Sequence, residues 1–226
     1  MKLAIIIPAF NESQVLLKVL KSLPKEIENV SKIETFVVDD GSTDDTYHQA
    51  LKANVKVIKH HLNRGVGAAT KTGIELAKRK RIDVVVTFDA DGQHYPKDIE
   101  KIIKPIISKE ADLVIGSRFK KSQKIPLDRL YLNRLANVAT LFLFGVFSTD
   151  SQSGLRAFSK KAFNLINFKS DRMEFSSEVL LEARRNNLKI VEVPTRAIYT
   201  DYSRTKGQKN SNAIPIFARY LVKLLR

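Results

Sequence analysis

The chain has 226 residues, of which 43% are hydrophobic, so it can bury the core of one α/β domain and is not globally disordered. No run reaches the roughly 18 apolar residues that a bilayer-spanning helix needs, and the apolar stretch at 3–7 is too short for a secretion signal. The absence of cysteine excludes disulfides and thiolate metal sites. A formal net charge of +15 favours anionic partners, namely nucleic acid, acidic lipid headgroups or phosphorylated substrates.

Short apolar runs alternate with helical patterns through the first half of the chain. We predict five strands there, at residues 3–7, 35–38, 55–59, 82–88 and 113–115. We predict four helices between and after them, at residues 12–23, 44–53, 66–79 and 96–107. This alternation indicates an α/β fold, with a mostly parallel sheet sandwiched by helices.

The second half of the chain is less regular. We predict a strand at 154–159, a helix at 175–186 and a strand at 190–194. Residues 201–212 are polar, basic and rich in Gly, Ser and Asn, which predicts a mobile loop. Residues 214–225 form the pattern of a basic amphipathic helix, which fits a helix on anionic lipid nearly as well as a helix packed on the core.

Polar clusters follow four of the predicted strands, at residues 8–12, 39–44, 89–93 and 116–118. The carboxyl ends of parallel strands meet at one sheet edge, where ligands bind. Asp89 and Asp91 are spaced to turn to the same side, so they can share one ion. Mg²⁺ or Mn²⁺ is held by one or two carboxylates and substrate phosphates, and Gln93 can add a neutral oxygen. We therefore expect an enzyme that handles a nucleoside diphosphate, against the alternative of a polar turn after a buried strand.

Five motifs occur in a characteristic order, at residues 8–12, 37–44, 63–65, 89–93 and 116–118. Together they resemble family 2 glycosyltransferases of the GT-A fold. The stretch 150–158, Asp-Ser-Gln-Ser-Gly-Leu-Arg-Ala-Phe, is similar to the dolichol-phosphate mannose synthase branch, which moves a sugar from a nucleotide sugar to a polyprenyl phosphate. The resemblance covers roughly residues 3 to 200.

The resemblance implies a single domain over residues 1–226. Its nucleotide-sugar-binding half would be 1–118, its acceptor-binding half 119–212, and its membrane-associating amphipathic helix 213–226. Within the second half, the apolar run 138–147 is either a buried core helix or a hydrophobic flank for the polyprenyl tail.

On the donor side, the resemblance implies that Asp39 contacts the base or ribose of the nucleotide. Asp40 would be its companion, and Asp89 would be a further nucleotide contact. The alternative role of a carboxylate after a strand is to cap the next helix. That role fits Asp44 better than Asp39 because Asp44 lies closer to the predicted helix.

Two further segments resemble nucleotide contacts of the family. Pro8, Phe10 and Glu12 look like its first nucleotide loop, although Phe10 could equally staple the following helix. Arg204 and Lys206 lie in the 201–212 loop, where the resembled branch has a basic residue on the nucleotide phosphates. Such a loop could close over the diphosphate, or it could be a solvated linker to the last helix.

On the acceptor side, a planar guanidinium suits recognition of a phosphate. Arg118, which resembles the family's Gly-Ser-Arg arginine, is the leading candidate, and Arg129 and Arg134 are either further phosphate ligands or helix surface. Asp150 resembles an acceptor-side residue. A phosphate acceptor is already ionised, with a second pKa of about 6, so we expect Asp150 to position groups rather than act as a base. Together with Asp91, Arg118 and Asp150 form the predicted catalytic set.

The leading hypothesis is inverting, metal-dependent transfer of a hexose from GDP-mannose or a UDP-sugar to polyprenyl phosphate. A second hypothesis keeps the fold and uses a sugar hydroxyl as acceptor, with Asp150 as base. A third, a basic nucleic-acid-binding protein, is disfavoured because the basic residues are dispersed and no helix-turn-helix, zinc or RNP-type pattern is present. We expect no nucleic-acid partner, peripheral contact with an anionic membrane, and a location on its cytoplasmic face.

Overall fold

The computed structural model of the chain describes residues 1–120, 125, 127–199 and 202, with the backbone alone for 127–129 and 143. The described strands are β1 (Lys2–Ala9), β2 (Lys32–Asp39), β3 (Lys56–Lys59), β4 (Val84–Thr87), β5 (Leu113–Ser117), β6 (Arg156–Ser159) and β7 (Ile190–Pro194). They form a seven-stranded sheet in the order β3-β2-β1-β4-β6-β5-β7. Each strand overlaps a predicted one, so the predicted α/β fold is confirmed.

Strand direction determines where the polar segments meet. β1 pairs in parallel with β2 and β4, as β2 does with β3 and β5 with β7. β6 runs antiparallel to both β4 and β5, so these two strands are parallel to each other. The carboxyl ends of β1, β2, β4 and β5 therefore meet at one edge, and β6 begins there.

Helices cover both faces of this sheet. They are α1 (Leu16–Ser22), α2 (Thr46–Leu51), α3 (Val66–Arg79), α4 (Asp98–Ile107), α5 (Leu127–Phe144), α6 (Lys160–Leu165) and α7 (Phe175–Arg185). α3 has the predicted bounds, whereas α1 begins four residues later than predicted. The reason is that Asn11 has a left-handed φ of 55° and the Glu12 amide donates to Thr46 Oγ1 at 2.7 Å, so this segment bends toward α2 before the helix starts. The short α6 was not predicted.

The two faces of β1 explain why the apolar runs of this chain do not alternate with polar residues. Leu3, Ile5 and Ile7 pack into the core cluster that contains α1 and α4, and Ala4 and Ile6 pack into the cluster that contains α3 and α7. A parallel strand covered on both sides must be apolar at every position. The sheet is therefore a rigid base for the loops at its edge.

The apolar run at 138–147 is not a buried core helix, which was one of the two expectations. Val138, Phe142 and Phe147 are exposed, whereas Thr140 and Val146 are buried. This part of α5 thus has an apolar side facing solvent. Within residues 1–120 and 127–199, no helix is long and apolar enough to cross a membrane. The predicted helix at 214–225 lies outside the described residues.

Candidate active site at the carboxyl edge of the sheet

The carboxylates predicted to bind metal lie just past the end of β4. Asp89 and Asp91, together with Glu12, line a cavity of about 300 Å³ at the sheet edge. Gln93 lies on the following turn, where its backbone N–H donates to Asp91 Oδ1 at 2.9 Å. The structure therefore brings Asp89 and Asp91 together, with Gln93 next to them along the chain.

Asp91 lies in acidic surroundings. Burial raises its pKa to about 6, and the nearby charges of Asp89 and Glu12 act in the same direction. A divalent cation would neutralise this repulsion, so the residues present fit Mg²⁺ or Mn²⁺. Among the described residues, no three His, Cys, Asp or Glu side chains are placed to hold a metal by themselves. An ion at this position would therefore complete its coordination with substrate phosphates.

Asp89 is fixed by His94, which sequence reasoning did not assign to the site, and by Gly154 of the 150–158 motif. The buried His94 places Nε2 2.8 Å from Asp89 Oδ2. Gly154 faces both carboxylate oxygens so closely that a Cβ there would overlap them. Burial raises the pKa of Asp89, but the charge and hydrogen bond of His94 outweigh it and leave the pKa below its usual value. Asp89 is thus held ionised and in one orientation.

Arg118 and Asp150 form a bidentate ion pair. Arg118 Nε donates to Oδ2 and Nη2 donates to Oδ1, both at 2.7 Å, and the Arg118 backbone N–H donates to Oδ2 at 3.0 Å. Burial acts to lower the pKa of Arg118, but fully buried Asp150 outweighs it and raises the pKa. Because both oxygens of Asp150 are engaged, this residue is placed to position Arg118 rather than to accept a proton.

The segment that carries Asp150 is held from two sides. Glu192 of β7 accepts from the Thr149 backbone N–H at 2.8 Å and from its hydroxyl at 2.6 Å. Asn137 of α5 donates to the Thr149 carbonyl at 2.7 Å and accepts from the Ser151 N–H at 2.9 Å. The Arg118–Asp150 pair is therefore anchored to rigid elements.

α5 presents an asparagine to this pair. Asn133 Oδ1 accepts from Arg118 Nη2 at 3.4 Å. The next residue, Arg134, is exposed on a different side of the helix, so the structure does not bring it to Arg118. The side chain of Arg129 lies outside the described part of the chain. Of the two predicted phosphate ligands whose side chains the structure describes, Arg118 lies at the sheet edge and Arg134 does not contact it.

Asp39, at the end of β2, has one carboxylate oxygen without a protein partner. Oδ1 accepts from the Ser42 N–H at 3.1 Å. Oδ2 is buried and has no hydrogen-bond partner within the described residues. A buried acceptor without a donor is costly, so an unpaired one requires an explanation. A base N–H or a ribose hydroxyl would supply the missing donor.

Asp40, next to Asp39, is engaged by the turn at residues 60–65. Its carboxylate accepts from the backbone N–H groups of Arg64 at 3.1 Å and Gly65 at 2.6 Å, and it contacts His60 Nδ1 at 2.7 Å. The other ring nitrogen of His60 lies 3.0 Å from the Thr72 hydroxyl. Asp40 thus shapes the 60–65 turn, and its contact with the nucleotide remains a prediction.

The predicted nucleotide loop after β1 is open to solvent at one point. Pro8 lines the cavity, and Phe10 is 41% exposed. Glu12 accepts from the Tyr202 hydroxyl at 2.8 Å. Burial and the Glu12 carboxylate raise the pKa of Tyr202, which keeps this phenol a donor. Arg204 and Lys206 lie outside the described residues.

The chain after β7 is tied to the loop that carries Asp91. The Ile198 N–H donates to the Gln93 carbonyl at 2.8 Å, and His94 and Ala197 form an isolated antiparallel bridge. The Arg196 N–H donates to Asp98 Oδ2 at 2.7 Å. The candidate metal loop is thus braced by a segment about 100 residues later in the sequence.

Three site residues escaped sequence reasoning. His94 follows Asp89 by only five residues, so a contact between them could have been expected from the sequence. The pair does not have the spacing of metal ligands, and His94 was therefore not assigned to the site. Asn133 and Asn137 lie four apart, which places them on one helix face, but nothing in the sequence says that this face meets Arg118.

Comparisons with known proteins agree with this geometry. The model of the family "Glycosyl transferase family 2" matches residues 4–166. The chain is 40% identical, over 96% of its length and 94% of the relative's, to a UDP-N-acetylglucosamine–dolichyl-phosphate N-acetylglucosaminyltransferase of Methanococcus voltae. It is 30% identical, over 84% of its length and 75% of the relative's, to the polyprenol monophosphomannose synthase of Mycolicibacterium smegmatis.

Among solved structures, the chain resembles glucosyl-3-phosphoglycerate synthase of Mycobacterium tuberculosis in complex with Mn²⁺, uridine diphosphate and phosphoglyceric acid. The TM-score is 0.75 at 18% identity, covering 99% of this chain and 77% of that one. At this identity the likeness establishes the fold alone.

Proposed function

The chain belongs to the family 2 glycosyltransferases, and we propose that it transfers a hexose from a nucleoside-diphosphate sugar to a polyprenyl phosphate. One observation carries the proposal. The acidic cavity at Asp91 and the Arg118–Asp150 pair occupy the same sheet edge, where Gly154, four residues after Asp150, lies directly against the Asp89 carboxylate. The acidic cavity suits a divalent cation that binds a diphosphate, and the Arg118 guanidinium suits an anionic acceptor.

The donor would lie across the ends of β1, β2 and β4. Asp39 Oδ2 would accept from the base or ribose, with Pro8 and the exposed ring of Phe10 beside it. Asp91, with Asp89 and Gln93, would hold Mg²⁺ or Mn²⁺. When bound, such an ion neutralises charge on the departing nucleoside diphosphate.

The acceptor phosphate would be oriented by Arg118. A phosphate oxygen attacks the anomeric carbon in line, the bond from that carbon to the nucleoside diphosphate breaks, and the configuration inverts. The acceptor is ionised near neutral pH, so no side chain has to remove a proton. Catalysis then rests on positioning and on fixed charges, which Asp150 supports by holding Arg118.

The choice of a phosphate over a sugar hydroxyl as acceptor has two supports. A hydroxyl acceptor needs a base, and both oxygens of Asp150, the candidate base, are held by Arg118. In addition, the two relatives named above carry dolichyl phosphate or polyprenol monophosphate in their names. We place the reaction at the cytoplasmic face of a membrane, where donor and lipid acceptor would meet.

The test is transfer from radiolabelled GDP-mannose, UDP-glucose and UDP-N-acetylglucosamine to a short polyprenyl phosphate. We expect label in the lipid phase from one donor with Mg²⁺ or Mn²⁺, and none with EDTA. Absence of lipid-phase label from every donor, with folded protein, would contradict the lipid-phosphate acceptor and favour a sugar hydroxyl.

His94 offers a test of how the site is positioned. His94→Ala should lower kcat by about 10- to 100-fold, because a residue that hydrogen-bonds to a metal-binding side chain and orients it typically contributes this much. His94→Gln keeps a donor near Asp89 Oδ2 and should recover part of the loss. The measurement is steady-state transfer at several Mn²⁺ concentrations. Equal kcat in both variants and the wild type would show that His94 does not orient Asp89.

A further inference from the structure

α5 carries an apolar stripe that faces solvent. Tyr131, Leu135, Val138 and Phe142 are 69%, 60%, 48% and 83% exposed. Their spacings of four, three and four residues place them on one face of the helix. At the helical rise of 1.5 Å per residue the stripe is about 16 Å long. Phe147, just past the helix, is also exposed. Contiguous exposed apolar surface of this kind marks a site of interaction.

The opposite face of the same helix supports the active site. Asn133 contacts Arg118, and Asn137 holds the segment before and after Asp150. Thr140 on this face is buried and lies 3.3 Å from the Ser177 hydroxyl of α7. One helix diameter, about 10 Å, therefore separates the apolar stripe from the proposed acceptor-phosphate site.

Basic groups lie beside the first turn of the stripe and beyond its last residue. Arg134 is exposed one turn into it. At the far end, exposed Arg184 of α7 donates to the Phe144 carbonyl at 2.7 Å. The formal net charge of +15 has the same sign. A solvent-facing apolar stripe between cations complements a bilayer with anionic headgroups, where rings and aliphatic chains enter the interface and guanidinium groups stay at headgroup level.

We propose that the α5 stripe docks the enzyme on the surface of an anionic membrane and thereby brings Arg118 to the phosphate of a membrane-embedded acceptor. This inference rests on the proposed function for the identity of the acceptor, but the docking itself does not. It assigns the membrane contact to α5, within the described chain, rather than to the predicted helix at 214–225.

The test compares two double variants of the full chain, each of which replaces two exposed apolar side chains by glutamine. Leu135→Gln with Phe142→Gln removes the centre of the stripe without changing the net charge. Leu51→Gln with Leu165→Gln is the matched control, because both leucines are exposed but lie on α2 and α6. Binding is measured by flotation with phosphatidylcholine vesicles, with and without phosphatidylglycerol, in the absence of substrates.

We expect the stripe variant to bind anionic vesicles at least about tenfold more weakly than the wild type, since it withdraws two large apolar side chains from the interface. The control should stay within about twofold. Both variants should retain transfer to a short-chain acceptor in solution, while the stripe variant loses transfer to a long-chain acceptor in vesicles.

Unchanged vesicle binding by the stripe variant would overturn the proposal. Light scattering would then identify the occupant, because a fall in mass on substitution would show that a second copy covers the stripe, and a fall in thermal stability at constant mass would point to residues 203–226. Lack of transfer by the wild type to the short-chain acceptor would contradict the proposed function instead, and would leave the vesicle result to stand by itself.

Discussion

Asp91→Asn will abolish sugar transfer, with a loss of at least about 10³-fold in kcat/KM, while the protein stays folded. A carboxylate that carries the cation for a departing diphosphate contributes charge stabilisation worth several kcal/mol, and an amide oxygen cannot replace it. The measurement is transfer with saturating Mg²⁺ or Mn²⁺. Asp45→Asn is the matched control and should retain full activity, because Asp45 is an exposed carboxylate just before α2 whose side-chain hydrogen-bond partners are His48 and Gln49.

The same substitution should stabilise the metal-free protein. Burial and the neighbouring carboxylates raise the folded-state pKa of Asp91 to about 6, so its ionised form is disfavoured in the folded chain. The folded state then binds more protons than the unfolded state between about pH 4 and 6, and this contribution to stability falls as pH rises through that window. Asp91→Asn should therefore be more stable than the wild type by about 1–3 kcal/mol at pH 7 and nearly equal to it at pH 4.

Urea unfolding in EDTA at the two pH values measures this difference. Added Mn²⁺ and nucleoside diphosphate should stabilise the wild type and leave Asp91→Asn unchanged. An active variant would show that Asp91 does not hold a cation, and a variant that loses stability at pH 7 in EDTA would show that the folded chain does not disfavour ionised Asp91.

Removing Arg118 alone should both inactivate and destabilise the enzyme. Arg118→Met leaves the buried Asp150 carboxylate without the arginine that pairs with both its oxygens. Breaking a buried ion pair in this way lowers the free energy of unfolding by about 3–5 kcal/mol. Adding Asp150→Asn to that variant removes the uncompensated charge and should restore most of the stability. Activity should stay at least about 100-fold lower than that of the wild type in the double variant, because the guanidinium proposed to bind the acceptor phosphate is still missing.

Urea unfolding and transfer assays on both single variants and the double variant separate the two roles. Lys120→Met is the control, since Lys120 lies 3.9 Å from Glu192 in a partly exposed pair and should cost less than about 1 kcal/mol. A stable double variant with wild-type transfer would mean that Arg118 serves the fold and not the acceptor.

The sequence predicted the sheet well because its signals are local. Each buried strand is a short apolar run, and Asp89 and Asp91 follow one of them directly, so both the fold and the acidic cavity could be inferred from neighbouring residues. The pairs that complete the site are not local. Arg118 and Asp150 are 32 residues apart, and the strand β6 that enters antiparallel between β4 and β5 is what brings Gly154 against Asp89.

The features that the sequence did not reveal have the same origin. Asp40 looks like the companion of Asp39 in sequence, but the turn at 60–65 returns to it and takes up its oxygens. Arg134 has the right chemistry for a phosphate, but helical periodicity turns Asn133, not Arg134, toward Arg118. For α5, apolar composition alone could not distinguish burial from exposure, which depends on what the rest of the fold covers.

The brace between residues 196–198 and the loop at 93–98 has a consequence for how this enzyme can be observed. The amide of Ile198 is protected by the Gln93 carbonyl, so its exchange with deuterium depends on how often the metal loop opens. Any ligand that fixes that loop should slow exchange at Ile198, which lies 105 residues after Gln93 in the sequence. The Ile198 amide, in the segment after β7, should therefore report whether a donor is bound.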